Sequence, residues 1–234
     1  MGRHGKRYQA AVGTLDREQL YSPEEALRLV KDAASAKFDE TVELAVRLGV
    51  DARAGEQMVR GTVTLPHGTG KSPRVAAFAR GEAAQQAEEA GADVVGAEDL
   101  VAKIEGGWKD FDVLVAAREM MRVVGRLGKR LGPRMPNPKA GTMGEDIAAI
   151  IRDLKGGRVQ FRMDRTGVVQ SAIGKASYEP EKLTENFGTL IGAILRARPA
   201  AAKGQYLRKI AVSSTMGPSV SVDPSSAQAL AESM

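Results

Sequence analysis

Apolar residues in this chain recur with two different periods, and the period changes from one region to the next. Val42, Leu44, Val46, Leu48 and Val50 alternate with Thr41, Glu43, Ala45, Arg47 and Asp51. That period of two predicts a strand with one face in a core and the other available. A second alternating strand runs over 59–65 after a polar turn around Ala54-Gly55. A third places Val159, Phe161 and Met163 between Gln160 and Arg162, and Asp164-Arg165-Thr166-Gly167 turns it into a returning strand at 168–173. The run 206–212 alternates again, with Arg208 and Lys209 among its apolar residues, and 220–222 is a short partner.

Helical spacing separates these strands. Ser22, Pro23 and Glu25 form an N-cap, first helical position and capping box. Ala26, Leu27, Val30, Ala33 and Ala34 supply the apolar stripe behind them. A longer amphipathic helix enters at Pro180 and carries Leu183, Phe187, Leu190, Ile191, Ile194 and Leu195. Between 75 and 116, short apolar strands (75–79, 92–95, 112–116) alternate with helices (81–90, 99–104), and a further helix spans 147–154. A βαβαβ rhythm implies a parallel sheet covered by helices. The predicted fold class is therefore α/β with two domains. Residues 1–66 and 157–234 form a discontinuous two-layer α+β domain, a sheet plus two helices. Residues 67–156 form an inserted Rossmann-like three-layer α/β domain, reached by two crossing connections. Arg3, Lys6 and Arg7 make the first residues a basic arm, and the small polar residues from Pro224 onward read as a mobile tail.

Composition removes several function classes. With no cysteine, and only His4 and His67, thiolate metal sites, Cys nucleophiles and His-based triads have no residues to use. No catalytic residue, metal site or cofactor is expected. The N-terminal residues lack a signal-peptide core, and no apolar run nears the roughly 20 residues that span a bilayer. The reading is a cytoplasmic protein without a membrane partner. Lys and Arg number 34 against 29 Asp and Glu, a modest excess that favours an anionic partner. That charge is uneven. Residues 82–112 hold nine acidic and two basic side chains, whereas 118–139 hold seven basic and one acidic. The basic run, which includes Lys129, Arg130, Arg134 and Lys139, is threaded with glycines and prolines and reads as an exposed cationic loop suited to phosphates.

One stretch offers a nucleotide-hydrolase alternative. Gly70-Lys71-Ser72 follows a strand, as in a phosphate loop. Yet Leu65 stands where the pattern needs its first glycine, and Pro73 leads into another strand instead of a helix. A generic basic nucleic-acid binder is the other alternative. At the end of the 206–212 strand comes Ser213-Ser214-Thr215-Met216-Gly217-Pro218-Ser219, which clusters hydroxyls, a polarizable thioether and a glycine. Taken locally, this composition suits an ordinary turn, as a lone Phe38 suits a core.

Three stretches together change that balance. They are Ala36-Lys37-Phe38-Asp39-Glu40-Thr41-Val42-Glu43, the run from Gly128 to Thr142 around Pro136-Asn137-Pro138-Lys139, and Ser214-Thr215-Met216-Gly217-Pro218-Ser219. In order and spacing they resemble the L-one family of large-subunit ribosomal proteins, over almost the whole chain. The segment from His4 to Tyr8 is similar to bacterial members. One departure is visible: the family carries Gly-Leu between the arginine of Gly-Pro-Arg and Met-Pro-Asn-Pro, whereas here Met135 follows Arg134 directly.

The resemblance implies a non-enzymatic ribosomal protein whose discontinuous domain binds the lateral stalk of 23S rRNA beside the tRNA exit site. It also implies a link to release of deacylated exit-site tRNA, and repression of translation through a similar fold in the protein's own operon mRNA. Off the large ribosomal subunit, the implied state is a monomer. The RNA contacts it implies are Lys37, Phe38, Thr41 and Glu43, then Asp164, Arg165, Thr166 and Gly167, and Thr215, Met216 and Gly217. Lys129, Arg130, Arg134 and Lys139 are the expected secondary RNA or tRNA contact. Short polar side chains suit ribose hydroxyls, Glu43 should face a sugar or base amine, and Lys37 and Arg165 should face phosphates.

Overall fold

A computed structural model describes residues 5–13, 15–16, 18–51 and 57–234, with the backbone alone at Lys139. Arg3 of the basic arm and the turn at Ala54-Gly55 lie outside the described residues. In chain order the elements are α1 (Lys6–Gly13), α2 (Pro23–Ala33), β1 (Thr41–Leu48), β2 (Arg60–Thr64), β3 (Val75–Phe78), α3 (Glu82–Glu89) and β4 (Val94–Gly96). Then come α4 (Glu98–Glu105), β5 (Val113–Ala117), α5 (Met121–Val124), α6 (Gly128–Leu131), β6 (Met143–Gly144) and α7 (Ile147–Lys155). The last six are β7 (Arg158–Arg162), β8 (Val168–Lys175), α8 (Pro180–Arg196), β9 (Leu207–Ser214), β10 (Ser219–Val222) and α9 (Pro224–Ser233).

The chain divides into two compact units, Met1–Gly70 with Val159–Met234, and Lys71–Arg158. Residues 67–70 go with the first unit because their backbone is tied there. The His67 N–H donates to Asn186 Oδ1 (3.1 Å), Asn186 Nδ2 donates to Gly68 O (2.9 Å), and the Tyr178 hydroxyl donates to His67 O (3.1 Å). Lys71 and Ser72 run through Pro73 directly into β3, so no helix N-terminus stands behind them to receive a phosphate.

In the first unit β10, β9, β1 and β8 form an antiparallel sheet in that order, and β2 pairs with β7 as a separate ribbon. Val42, Leu44, Val46 and Leu48 of β1 are buried with Ile210, Val212 and Ile173 under Leu27 and Val30 of α2 and Phe187, Leu190 and Ile194 of α8. The predicted capping box starts α2: Ser22 Oγ accepts from Glu25 N–H while Glu25 accepts from Ser22 N–H. Thr41, Glu43, Ala45 and Arg47 line the opposite, uncovered face of β1, as alternation requires.

One end of the chain adds to the sequence reading and the other corrects it. The basic arm is helical over Lys6–Gly13, with no buried residue. The expected tail is the helix α9. Asp223 caps it by accepting from Ser225 and Ser226 N–H, Pro224 opens it, and Ala227 is buried with Leu230 and Ala231 packed against the core. Where α9 lies on α8, Gly188 leaves room for the Met234 side chain.

In the second unit β4, β3, β5 and β6 form a parallel sheet. Val75, Ala77 and Val115 pack on one face with Ala87 of α3 and Ile147 and Ile151 of α7. Ala76, Phe78 and Leu114 pack on the other with Leu100 and Ile104 of α4. That face is also where the expected cationic loop lies, and it is not a loop. Residues 118–134 are α5, α6 and intervening 3-10 turns. Met120, Val124, Leu127 and Leu131, spaced 4, 3 and 4 apart, are buried in the core, while Arg118, Arg122, Arg126 and Lys129 are exposed. The glycines had hidden an amphipathic stripe.

Candidate nucleic-acid interface

β1 begins over a buried carboxylate. Glu40 shares the inward parity of Val42 and is 2% exposed. Its Oε1 accepts from the Ala36 N–H (2.8 Å) and its Oε2 from the Met216 N–H (2.8 Å). Burial pushes this carboxyl up, but the Met216 and Ala36 hydrogen bonds and the charge of Arg7 outweigh it. The group is held below the usual glutamate range and stays ionised. A second link reinforces the first: Thr215 Oγ1 accepts from the Thr41 N–H (3.0 Å) and donates to Thr41 O (3.3 Å). The Gly217 N–H donates to Ser214 O (3.3 Å), and a Cβ at Gly217 would collide with Ser214 Oγ. Segments 36–41 and 213–217 are thus one hydrogen-bonded platform.

Two apolar side chains stand on that platform in solvent. Phe38 is 55% exposed and Met216 is 51% exposed, two of the four large apolar side chains exposed among the described residues. A lone phenylalanine in a chain poor in aromatics reads locally as core; the structure puts it outside. Lys37 beside it is exposed as well. The exposure of Phe38 and Met216 leaves two apolar surfaces on the platform available to a partner.

Beside the platform the structure adds a residue that alternation could not show. Lys175, opposite Thr41 in the β1–β8 register, donates through Nζ to Thr41 Oγ1 (2.9 Å) and Asp39 O (3.3 Å). Thr41 Oγ1 accepts that bond and keeps its own hydrogen to donate. Glu43 follows on the same open face, between Ala172 of β8 and Ser213 of β9. A β-bulge separates the Val42–Gly174 pair from the Glu43–Ala172 pair. Buried Asn186 satisfies that irregularity by donating to Ile173 O (2.7 Å).

The hairpin turn lies at the far end of the same strand. The Leu48 N–H donates to Gly167 O (2.8 Å), so residues 164–167 adjoin the C-terminal end of β1 and the platform its start. At about 3.3 Å per residue, β1 separates the two by roughly 23 Å. Asp164 Oδ1 accepts from Thr166 N–H (2.8 Å), Thr166 Oγ1 (2.7 Å) and Val168 N–H (2.9 Å), which holds its carboxyl below the ordinary aspartate range. Gly167 supplies the positive φ of 80° the turn needs. Asp164, Thr166 and Gly167 therefore build the turn, and exposed Arg165 is the side chain it presents. Arg47 and Lys209, paired across β1 and β9 and both exposed, lie on the open face between the two clusters.

The four cations expected to make the secondary contact divide. Arg130 donates to Glu105 O at the end of α4, and Arg134 donates to Phe111 O (3.2 Å) with its guanidinium 5.8 Å from the Phe111 ring centroid. Lys129 is exposed, and Lys139 lies in a 3-10 turn, Pro138–Ala140. Among the described residues no acidic or histidine cluster could hold a metal, and no helix is long and apolar enough to cross a membrane.

Comparison with known proteins accounts for nearly the whole chain. A Cutibacterium acnes (strain DSM 16379 / KPA171202) protein named large ribosomal subunit protein uL1 is 58% identical over 228 residues, covering 97% of this chain and 98% of its own. Residues 30–218, from the end of α2 through the Met216 turn, match the Ribosomal protein L1p/L10e family. The chain belongs to that family of ribosomal proteins.

Proposed function

We propose that this protein is a structural, non-enzymatic component of the large ribosomal subunit. In the cytoplasm, it grips the stalk of 23S rRNA with the open face and platform of its discontinuous domain. The observation that carries the reading is the pair Phe38 and Met216, held in solvent over the buried Glu40 carboxylate. Around them stand groups suited to the shallow minor groove of RNA. Thr41 offers a hydroxyl donor, Glu43 accepts from a ribose or base amine, and Lys37 offers phosphate charge. Arg47, Lys209 and Arg165 extend that charge along β1 to the hairpin turn, so one helical RNA lying along the strand reaches both clusters. A similar fold in the operon mRNA would occupy the same surface, which makes repression competitive with assembly. The exit-site tRNA contact belongs to the inserted domain, through Lys129, Arg130, Arg134 and Lys139.

The test compares binding of the 23S stalk segment with that of an unrelated hairpin of equal length, at moderate salt with competitor present. A preference of about a thousandfold supports the reading, and equal binding reduces the chain to a generic basic nucleic-acid binder. Joining residue 70 to residue 159 should leave stalk binding intact, because none of the platform residues lies in the inserted unit.

A further inference from the structure

The inserted domain contains a cavity of about 500 Å³ between the segment after α4 and the helix α6. Its walls combine aromatic and cationic side chains. Trp108, the single tryptophan of the chain, is half-buried there, its ring 5.4 Å from that of Phe111 and inclined by 43°. Lys109, Arg130 and Arg134 line the same cavity, and no carboxylate does. Asp110 and Asp112, outside the lining, both pair with Arg74, and Asp112 also feels the charge of Arg134. Arg130 and Arg134 each fix one N–H on a main-chain carbonyl, which orients the guanidinium and leaves most of its five donors for another acceptor.

We propose that this cavity binds one unpaired nucleotide, its base against Trp108 and its phosphate among Lys109, Arg130 and Arg134. A bare inorganic anion would have no use for the aromatic walls, and an apolar ligand would have none for three cations. Unstacked bases are taken up by aromatic and arginine faces, and a paired base in a duplex cannot enter such a cavity. The volume lies within the roughly 300–1,000 Å³ of small-molecule sites. The proposal stands on the inserted domain alone, sharing Arg130 and Arg134 with the proposed tRNA contact, and does not depend on the stalk reading.

Trp108 supplies its own local readout, separate from RNA bound at the Met216 platform. Tryptophan emission of the full chain is titrated with a six-residue oligoadenylate, with AMP, and with a blunt RNA duplex. Saturable quenching by the single strand is expected, with Lys109→Ala weakening it about tenfold at an unchanged melting temperature. Quenching by the oligonucleotide but not by AMP assigns the ligand to an RNA strand. Equal quenching by AMP assigns it to the free nucleotide pool, and either result supports the site. No saturable change with either ligand, quenching by duplex as strong as by single strand, or full affinity in Lys109→Ala would overturn it.

Discussion

The two sheets of this protein solve burial differently. The parallel sheet β4-β3-β5-β6 is covered on both faces, by α3 and α7 on one side and by α4 with the 118–131 helical run on the other. The antiparallel sheet β10-β9-β1-β8 is covered by α2 and α8 on one face only. A sheet sealed on both sides can offer a partner only its loops and helix backs, whereas a half-covered sheet offers the strand face itself. Polar residues on such a face are chosen without regard to the core, and they are fixed in register by hydrogen bonds that the core pays for. The difference predicts separate failures for the two domains.

The largest effect should come from Phe78→Ala, which empties the centre of the sealed sheet at a cost of roughly 3–5 kcal/mol. Calorimetry should show the inserted domain melting earlier while stalk-RNA affinity stays within about twofold; a large affinity loss would mean that the domains do not divide the work. Next is Glu40→Ala. It removes the buried carboxylate that the part-buried N–H groups of Ala36 and Met216 donate to, costing roughly 2–4 kcal/mol and most of the RNA affinity. Its pH dependence has a definite sign. Glu40 is lowered in the folded state, so its contribution is complete at neutral pH and is lost as pH falls through the lowered value. Asp164 and Asp223 are lowered too and share that acid window. An acid titration of stability should therefore be flatter in Glu40→Ala than in the parent. Met216→Ala should separate binding from folding, losing roughly 1–3 kcal/mol of RNA affinity with no change in melting temperature. The smallest effect is expected of Thr166→Val, about 1 kcal/mol from the Asp164 bond, with a slightly looser hairpin seen as faster amide exchange at Val168.

How much of this was legible in the sequence follows the same contrast. β1 was readable over 41–48 because only one of its faces is buried, although the alternation continued to Val50 and Asp51 beyond the strand's end. α2 and α8 announced themselves through Ser22, Pro23 and Pro180. β6 was invisible, since two residues carry no period. The 118–134 helices were hidden by Gly125, Gly128 and Gly132, although Met120, Val124, Leu127 and Leu131 kept a helical spacing. In α9, alanine and serine give little contrast between faces. Within the site, Glu40 did leave a signal: a carboxylate at the inward parity of Val42 and Leu44 must find buried donors. Lys175 left none, because its place beside Thr41 depends on a register set across 134 residues. The exposure of Phe38 likewise depends on how the Met216 turn meets segment 36–41, which no local pattern encodes.

The bond between Thr41 and Thr215 joins positions 174 residues apart. During synthesis β1 leaves the ribosome early, yet its partners β8 and β9 and the Met216 turn follow only after the whole inserted unit. The inserted domain has its whole sheet by residue 144 and can fold while the rest is being made. Until then β1 remains an apolar strand with both edges unpaired, a hazard that its Glu43 and Arg47 charges help to hold off. The platform is therefore absent from any nascent fragment that stops short of residue 217. Its ligand can select only chains already translated through the Met216 turn, which makes that point in synthesis a condition for binding.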